Sequence, residues 1–585
     1  MKKLIALFAA ITALSVLFAS CGTANNPTGS GTETEAVSVP AETVEDPTND
    51  ELIATGEFTV SPSSGVTVDG NVYTVTAAGE YTFKGALDGS IAVDAGDEDE
   101  VVLIFDGVTL ASSDTAPIYV KNAGEVSVKS AEGSYNTVTD SRAAADSSAS
   151  DGNTDGNAAI WSDCDLKING KGTLIVTSSY DNGIKSKDDL TVKNVTLKVT
   201  SPGVALKGND SVEIKSGSLT LVSTEADGIK TSNTDVSSKG NQRGTVTISG
   251  GNISVYSACD GISVAYDVVI NEAEAAVNLY VYTADYAAES GAGAVSETES
   301  SSKGIKAENA VLIEAGIVTI YAMDDGVHAN SDSKLDNGLT PEGKITVNGG
   351  TLMVTAADDG LHADGELIIS GGTVTVTESH EGLEGNVISI EGGYVTVNGY
   401  DDGMNACKGE KTPEVNISGG TVTVTTPSGD TDAVDSNGNF VMSGGFVLVR
   451  GGAAMGGMAG SIDVDGSISV TGGTILSFGG ICEIPSGGNG ANVYASSGTN
   501  FSTGDYTLTD SSGNTIASFT LDKSYSSLWI ASDALALNGS FTLSLGGSAV
   551  LSWTQSSAQE GDQVTGGFGP GGGGPGGGFA PPGRG

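Results

Sequence analysis

A glycine pair followed by an alternating strand recurs through the second half of this chain, and no other feature constrains the fold as strongly. The copies are "VNGGTLMVTA" from Val347, "ISGGTVTVTE" from Ile369, "IEGGYVTVNG" from Ile390, "ISGGTVTVTT" from Ile417, "MSGGFVLVRG" from Met442 and "VTGGTILSFG" from Val470. The second glycines fall at 350, 372, 393, 420, 445 and 473, so the steps are 22, 21, 27, 25 and 28. Looser copies start at Ile168, Ile214 and Ile248. A unit of about 21 residues with short insertions accounts for the series.

Each unit has the same grammar. After the Gly-Gly turn comes a strand such as Thr-Val-Thr-Val. A bend with Asp-Gly follows, then an apolar, a polar and a small residue, as in Leu361, His362 and Ala363. A second turn leads to a third strand such as "ELIIS". Strict alternation over four to six residues is the strand period. Three short strands per coil of about 21 residues describe an all-β fold, a parallel β-helix. The winding is expected to be right-handed, as parallel crossovers are. Stacked coils touch only their neighbours, so 585 residues need not split into several globular domains.

The expected organisation has five parts. Residues 1–21 ("MKKLIALFAAITALSVLFASC") read as a lipoprotein signal peptide ending at a lipidated Cys21, because two lysines, an apolar run and "FAS" precede it. An ordinary signal peptide cut nearby is the alternative. Residues 22–50 are a polar, flexible tether. Residues 51–482 are the β-helix, 483–553 a β-rich C-terminal cap, and 554–585 a disordered Gly/Pro-rich tail. The expected location is extracytoplasmic, on a bacterial cell surface, with the lipid in the membrane and the chain a monomer. The other cysteines, 164, 259, 407 and 482, are widely spread and read as small residues packed in separate coils, with no pairing assigned.

Charge narrows the partners. With 26 basic and 73 acidic residues the formal charge is 26 − 73 = −47, which excludes nucleic acid as a default partner. Yet the repeat keeps placing carboxylates at one point. They are Asp181, Asp227, Asp260, Asp324 with Asp325, Asp358 with Asp359, Glu381, and Asp401 with Asp402. Stacked about 5 Å apart, two such charges repel by roughly 1 kcal/mol even in water. Lysines nearby offset the early ones: Lys185 and Lys187, Lys207, Lys230, Lys303 and Lys306. Where the aspartates double, the polar position becomes His328, His362, Glu384 and Asn405, and lysine is expected to be absent. A calcium ion held by Asp324, Asp325, Asp358, Asp359, Glu381, Asp401 and Asp402 would resolve the repulsion, since calcium takes six to eight oxygens. For the single Asp-Gly bends, turn chemistry is sufficient reason. "DTDAVDSNG" adds Asp430, Asp432 and Asp435 without the EF-hand pattern. His328 and His362 share a repeat position and should stack; outward polar residues are the simpler reading, a transition-metal pair the other. No nucleophile or zinc motif occurs, and no glycosidase pair stands out among 73 acids.

"DGVTLASSDTAPIYVKNAGEVSV" (Asp106–Val128), the repeated "DDG" bends, the "SGGT" turns and the Gly-rich tail resemble a family of secreted bacterial carbohydrate-binding β-helix proteins. The resemblance covers roughly residues 50–550. It implies binding of cellulose or acidic sugars such as pectate, a pectate-lyase-like solenoid with calcium, and binding rather than cleavage. On that footing Lys185, Lys207, Lys230 and Lys306 would assist a polysaccharide held through shared calcium. Two alternatives stand: a calcium-dependent polysaccharide lyase using one of those lysines as base, and a structural or adhesive stalk. Aromatic residues make up only 5%, which argues against a broad flat stacking platform.

Overall fold

In the computed structural model the chain divides into two units, Met1–Glu35 and Ala36–Gly585. The structure describes residues 53–144, 156–281, 301–331, 334–335, 337–427, 431–451, 461–479 and 491–562, all within the second unit. The expectations for the leader, Cys21, the tether, Cys482, Asp430 and most of the tail lie outside the described residues.

Among the described residues every regular element is a strand, and no helix is long and apolar enough to cross a membrane. Most strands pair in parallel, not with the next strand but with the third one on. Thr173–Ser178 pairs with Val195–Ser201, then come Gly217–Ser223, Gly251–Ser257, Ala275–Val281 and Ile317–Ala322; this is the glycine face. Asn182–Ser186, Leu206–Gly208, Ile229–Lys230, Ile262–Val264, Ile305–Ala307 and Val327–Ala329 form the bend face. Asp165–Gly170, Asp189–Lys193, Ser211–Ile214 and Thr245–Ile248 begin the third face. Three ladders fed in rotation are what a parallel β-helix requires.

The register follows the glycine spacing. Thr351 pairs with Thr373, Thr373 with Tyr394, Tyr394 with Thr421, Thr421 with Phe446 and Phe446 with Thr474, which reproduces the steps 22, 21, 27, 25 and 28. Alternation decides what goes inside. Val374, Val376, Val397, Val422 and Val424 are fully buried, stacked in one continuous apolar core, while the threonines between them face out. The second glycine of each pair has φ between 76° and 83°, a region that disfavours side chains. These glycines also lie directly over one another: a Cβ at Gly393 would come within 2.7 Å of the Gly372 carbonyl.

Both ends of the parallel stack are closed by antiparallel strands, which removes open edges. Thr59–Ser61 pairs with Gly79–Asp88, and Tyr525–Ser532 pairs with Thr474–Phe478. A separate antiparallel sheet of Gly504–Asp510, Thr515–Leu521, Ser540–Leu545 and Ser548–Thr554 follows. It shares a second core with Leu448, Leu476 and Phe478, outward residues of the last coils that it covers.

Candidate functional site

The bends are tied coil to coil by their backbones. The Gly326 amide donates to the Asp359 carbonyl, Gly360 to Glu381, Gly382 to Asp402 and Gly403 to Asp432. The acidic residue before each glycine is therefore stacked in a column. Beside it, two residues past the bend glycine or the Ala205, Ala433 or Ser461 that replaces it, runs a second column in strict register: Lys185, Lys207, Lys230, Ser263, Lys306, His328, His362, Glu384, Asn405, Asp435 and Asp463. Along one ladder the side chains pass from lysine through histidine to carboxylate.

Part of the first column is turn chemistry carried across coils. An oxygen of Asp227 accepts the Asp260 amide at 3.0 Å, Asp325 the Asp359 amide at 3.1 Å, and Asp402 the Asp432 amide at 3.1 Å. The aspartate bonds the next coil's backbone, not its own.

The protein supplies its own cations over much of the column, and this corrects one expectation. Asp324 and Asp325 are not free of lysine. Lys303 occupies the bend position of the preceding coil, where "SKG" replaces "DDG", and its ammonium lies 2.8 Å from Asp324 Oδ1 and 2.5 Å from Asp325 Oδ2. The next cations are the two histidines. Their rings stack at 4.3 Å with 8° between planes. His328 Nδ1 is 2.6 Å from Asp325 Oδ2, and His362 Nδ1 is 2.8 Å from Asp359 Oδ2 and 3.0 Å from Glu384 Oε2. Both Nε2 atoms lie 3.5 Å from the same Asp364 oxygen. Burial alone would lower an imidazole pKa, but these carboxylates outweigh it and hold both rings above their ordinary value. Burial would raise Asp364, yet the two imidazole rings 3.5 Å away hold it well below the usual carboxylate range. The pair thus acts as two stacked imidazolium counter-ions. A metal ligand would have to be neutral, so this geometry favours the counter-ion role.

Past Glu384 the internal cations run out. Among the described residues no lysine or arginine is within ion-pair distance of Glu381, Asp401, Asp402 or Asp435; His380 Nε2 stands 3.9 Å from Asp401. Burial, then the charge of Glu384, pushes Glu381 up to about 7. Burial, then Asp435 and Asp401, pushes Asp402 up to about 8 although it accepts the Asp432 amide. Burial with Asp463 and Asp465 pushes Asp435 up to about 6. His380, Glu381 and Asp401 bring ligand atoms within 4.8 Å of one another, as do Asp358, Asp359 and His380. This stretch holds oxygen donors packed together with too little positive charge, which is the donor chemistry a hard divalent cation fits.

The four expected ligand lysines share the second column but differ in access. Lys185 is fully buried and donates to Asn157 Oδ1 at 3.0 Å, so it presents no ammonium to solvent and the ligand role does not fit it. Burial and the neighbouring Lys230 pull the Lys207 pKa down. Lys230 is paired with Asp227 at 2.6 Å and Lys306 with Glu308 at 3.4 Å. Asp364, the shared acceptor of the histidines, was not foreseen. The signal for it is its place directly after the apolar-polar-small triplet in "LHADG".

A protein of Acetivibrio thermocellus described as a carbohydrate-binding domain-containing protein is 38% identical over 137 residues, 23% of this chain. The chain spans about half, 47%, of that relative's length. A solved structure of a polysaccharide lyase-like protein from C. thermocellum, a gadolinium derivative, aligns at 33% identity over 37% of this chain and 87% of that one, with a TM-score of 0.32. The model of the carbohydrate-binding domain-containing protein family matches residues 69–341 and 332–566, nearly the whole described stack. The chain belongs to the carbohydrate-binding domain-containing protein family.

Proposed function

We propose that this chain is a calcium-dependent polysaccharide-binding protein for acidic polymer such as polygalacturonate, carried at a bacterial surface by a lipid on Cys21. Its right-handed coils of about 21 residues would present the late bends as a rigid row. Family membership supports the polysaccharide. The observation that carries the calcium is the run of Glu381, Asp402 and Asp435, whose carboxylates are raised to about 7, 8 and 6 with no lysine or arginine beside them. Glu381, Asp401 and Asp402, with Asp358 and Asp359 below, would hold the ion. Bound calcium supplies positive charge that a uronate carboxylate can share.

The test is affinity for polygalacturonate with calcium and with chelator, in wild type and in the double variant E381Q/D402N. The expected result is at least a tenfold gain with calcium in wild type and none in the variant. Equal affinity with and without chelator would overturn the calcium dependence. An assay for unsaturated uronide, run alongside, decides whether cleavage accompanies binding.

A further inference from the structure

Far down the stack, on the third face, the chain assembles something its overall charge of −47 does not lead one to expect. A cleft of about 590 Å³ is lined by five lysines, Lys129, Lys167, Lys171, Lys193 and Lys215, with Glu132 as the one acid in the lining. The chain has 26 lysines and arginines in all, so nearly a fifth of them meet here.

The register explains how they converge. Lys129 pairs with Asn169 of the next coil, and Asn169 with Lys193 of the one after. Val192 pairs with Ile214, so Lys215 continues the column one coil further. One amide-bearing and three ammonium-bearing side chains thus stand on four successive coils. Lys171 extends the row at the neighbouring corner, next to Gly170, whose φ of 114° turns the chain there. Lys167 is held by Glu125 at 2.5 Å and Lys215 by Glu213 at 2.9 Å. Lys129, Lys171 and Lys193 are exposed and make no ion pair among the described residues. The column then changes character: by the same register the next positions are Ser249, Asn271 and Glu314. The positive charge is confined to one patch and is not a property of the face.

We infer that this lysine cleft is a second, metal-independent binding site for an anionic polysaccharide bearing one carboxylate or sulfate per sugar. The inference rests on the reading that the chain binds polysaccharide, and assigns to it a site separate from the acidic bends. Two features select this ligand. Successive coils are about 4.8 Å apart, comparable to one sugar in an extended chain, so Lys129 and Lys193, two coils apart with Asn169 between them, match the anions of every second sugar in a single row. A DNA duplex carries a charge every ~1.7 Å of axis, nearly three for each ~4.8 Å coil, and the surrounding acidic surface repels so dense a polyanion.

The experiment measures polygalacturonate binding by the full chain in chelator, at about 50 and 200 mM salt. Three released counter-ions would make binding weaken roughly tenfold or more across that range. The triple variant K129Q/K171Q/K193Q should lose the metal-free binding at least tenfold while keeping the calcium-dependent gain; K129R/K171R/K193R should retain both. E132Q should strengthen metal-free binding a few-fold, a readout that needs no loss of lysine. No metal-free binding in wild type, or metal-free binding unchanged in the Lys→Gln variant, overturns the site. Binding to esterified, uncharged polygalacturonate as tight as to the acid form, or to single-stranded DNA as tight as to polygalacturonate, overturns the ligand assignment. Loss of the calcium gain alone sinks the acidic-bend reading and leaves this cleft standing.

Discussion

The early and late coils are built on the same ladders yet solve opposite electrostatic problems. At the bend face, Lys230 closes on Asp227 at 2.6 Å and Lys303 on Asp324 and Asp325 at 2.8 and 2.5 Å, while Asp181 and Asp260 are met by neutral donors, Asn157 and Ser301. From Glu381 onward the ladder positions are filled by Asn405, Asp435 and Asp463, and the carboxylates are left to repel one another. The bend-face backbone cannot be the cause, since its register runs His328, His362, Glu384, Asn405 without a slip, although the ladders beside it shift by a residue after Val354 and after Ala363. A solenoid lets charge be varied coil by coil at constant geometry, because each rung's side chains answer only to the rungs beside it. The two histidines mark the boundary. They are the last positive rungs before the cation-poor stretch.

The largest effect should come from breaking that boundary. His362 faces Asp359 at 2.8 Å, Glu384 at 3.0 Å and Asp364 at 3.5 Å in a site mostly closed to water. Removing it as H362A strands three carboxylates, and breaking a buried pair costs about 3–5 kcal/mol. The unfolding free energy of chelated protein should fall by that amount. Added calcium should recover part of it, because the variant extends the cation-poor stretch downward by one coil. An unfolding free energy within about 1 kcal/mol of wild type would mean the pair is not the counter-ion described.

Calcium itself should come next. At a concentration 100 times its dissociation constant, a ligand that binds only the folded state adds about 2.7 kcal/mol. Extracellular calcium modules bind at about 10⁻⁴–10⁻³ M, so tens of millimolar calcium are needed to see it. The gain should vanish in E381Q/D402N and persist in K129Q/K171Q/K193Q. Equal gains in all three proteins would place the ion elsewhere.

How much of this contrast could be read from the chain alone differs by level. The coils, their steps and the inward valines were legible because alternation and glycine spacing are local properties, and the ladder merely repeats them. The stacking of His328 on His362 was legible for the same reason, since equal positions in a repeat must fall in register. What failed was pairing between unequal positions. Lys303 was visible as a basic neighbour, but its bond to Asp324 and Asp325 joins the bend position of one coil to that of the next, 21 and 22 residues on, where a lysine stands in place of the usual aspartate. The absence of lysine from "DDG" therefore said nothing about the coil below. Lys185 failed for a different reason: its place in the column was right, but its burial beneath Trp161 depends on packing that no single repeat displays. The lysine cleft went unread because Lys129 and Lys193 sit in "SVKS" and "TVKN", outside the aligned glycine repeats, while Lys171 and Lys215 fall in the looser copies, and only the strand register brings the two sets together.

A smaller effect separates the regions by pH. Glu381, Asp402 and Asp435 have folded pKa values of about 7, 8 and 6, above those of an unfolded carboxylate. Between about pH 4 and 8 the folded protein then holds more protons than the unfolded chain, so stability falls as pH rises through this window. Chelated protein should be more stable at pH 5 than at pH 8. Calcium competes with those protons, so the slope should flatten or reverse when it is present. A chelated protein that gains stability up to pH 8 would show that these carboxylates are not crowded.

The smallest effect belongs to the exposed ion pairs of the first coils, and it tests whether burial is what makes the boundary costly. Lys84 lies 2.5 Å from Asp106, as close as any pair at the bends, but the two side chains are 57% and 42% exposed. Water already solvates both ions, so the pair gains little by meeting, and exposed pairs typically contribute about 0–1 kcal/mol. K84A should lower the unfolding free energy by no more than that, and the loss should shrink further in high salt. H362A, at similar distances but in a closed site, should keep most of its effect in the same salt. If the two variants proved equally costly and equally screened, distance rather than desolvation would govern both, and the reason for seeking a cation at the late bends would disappear with it.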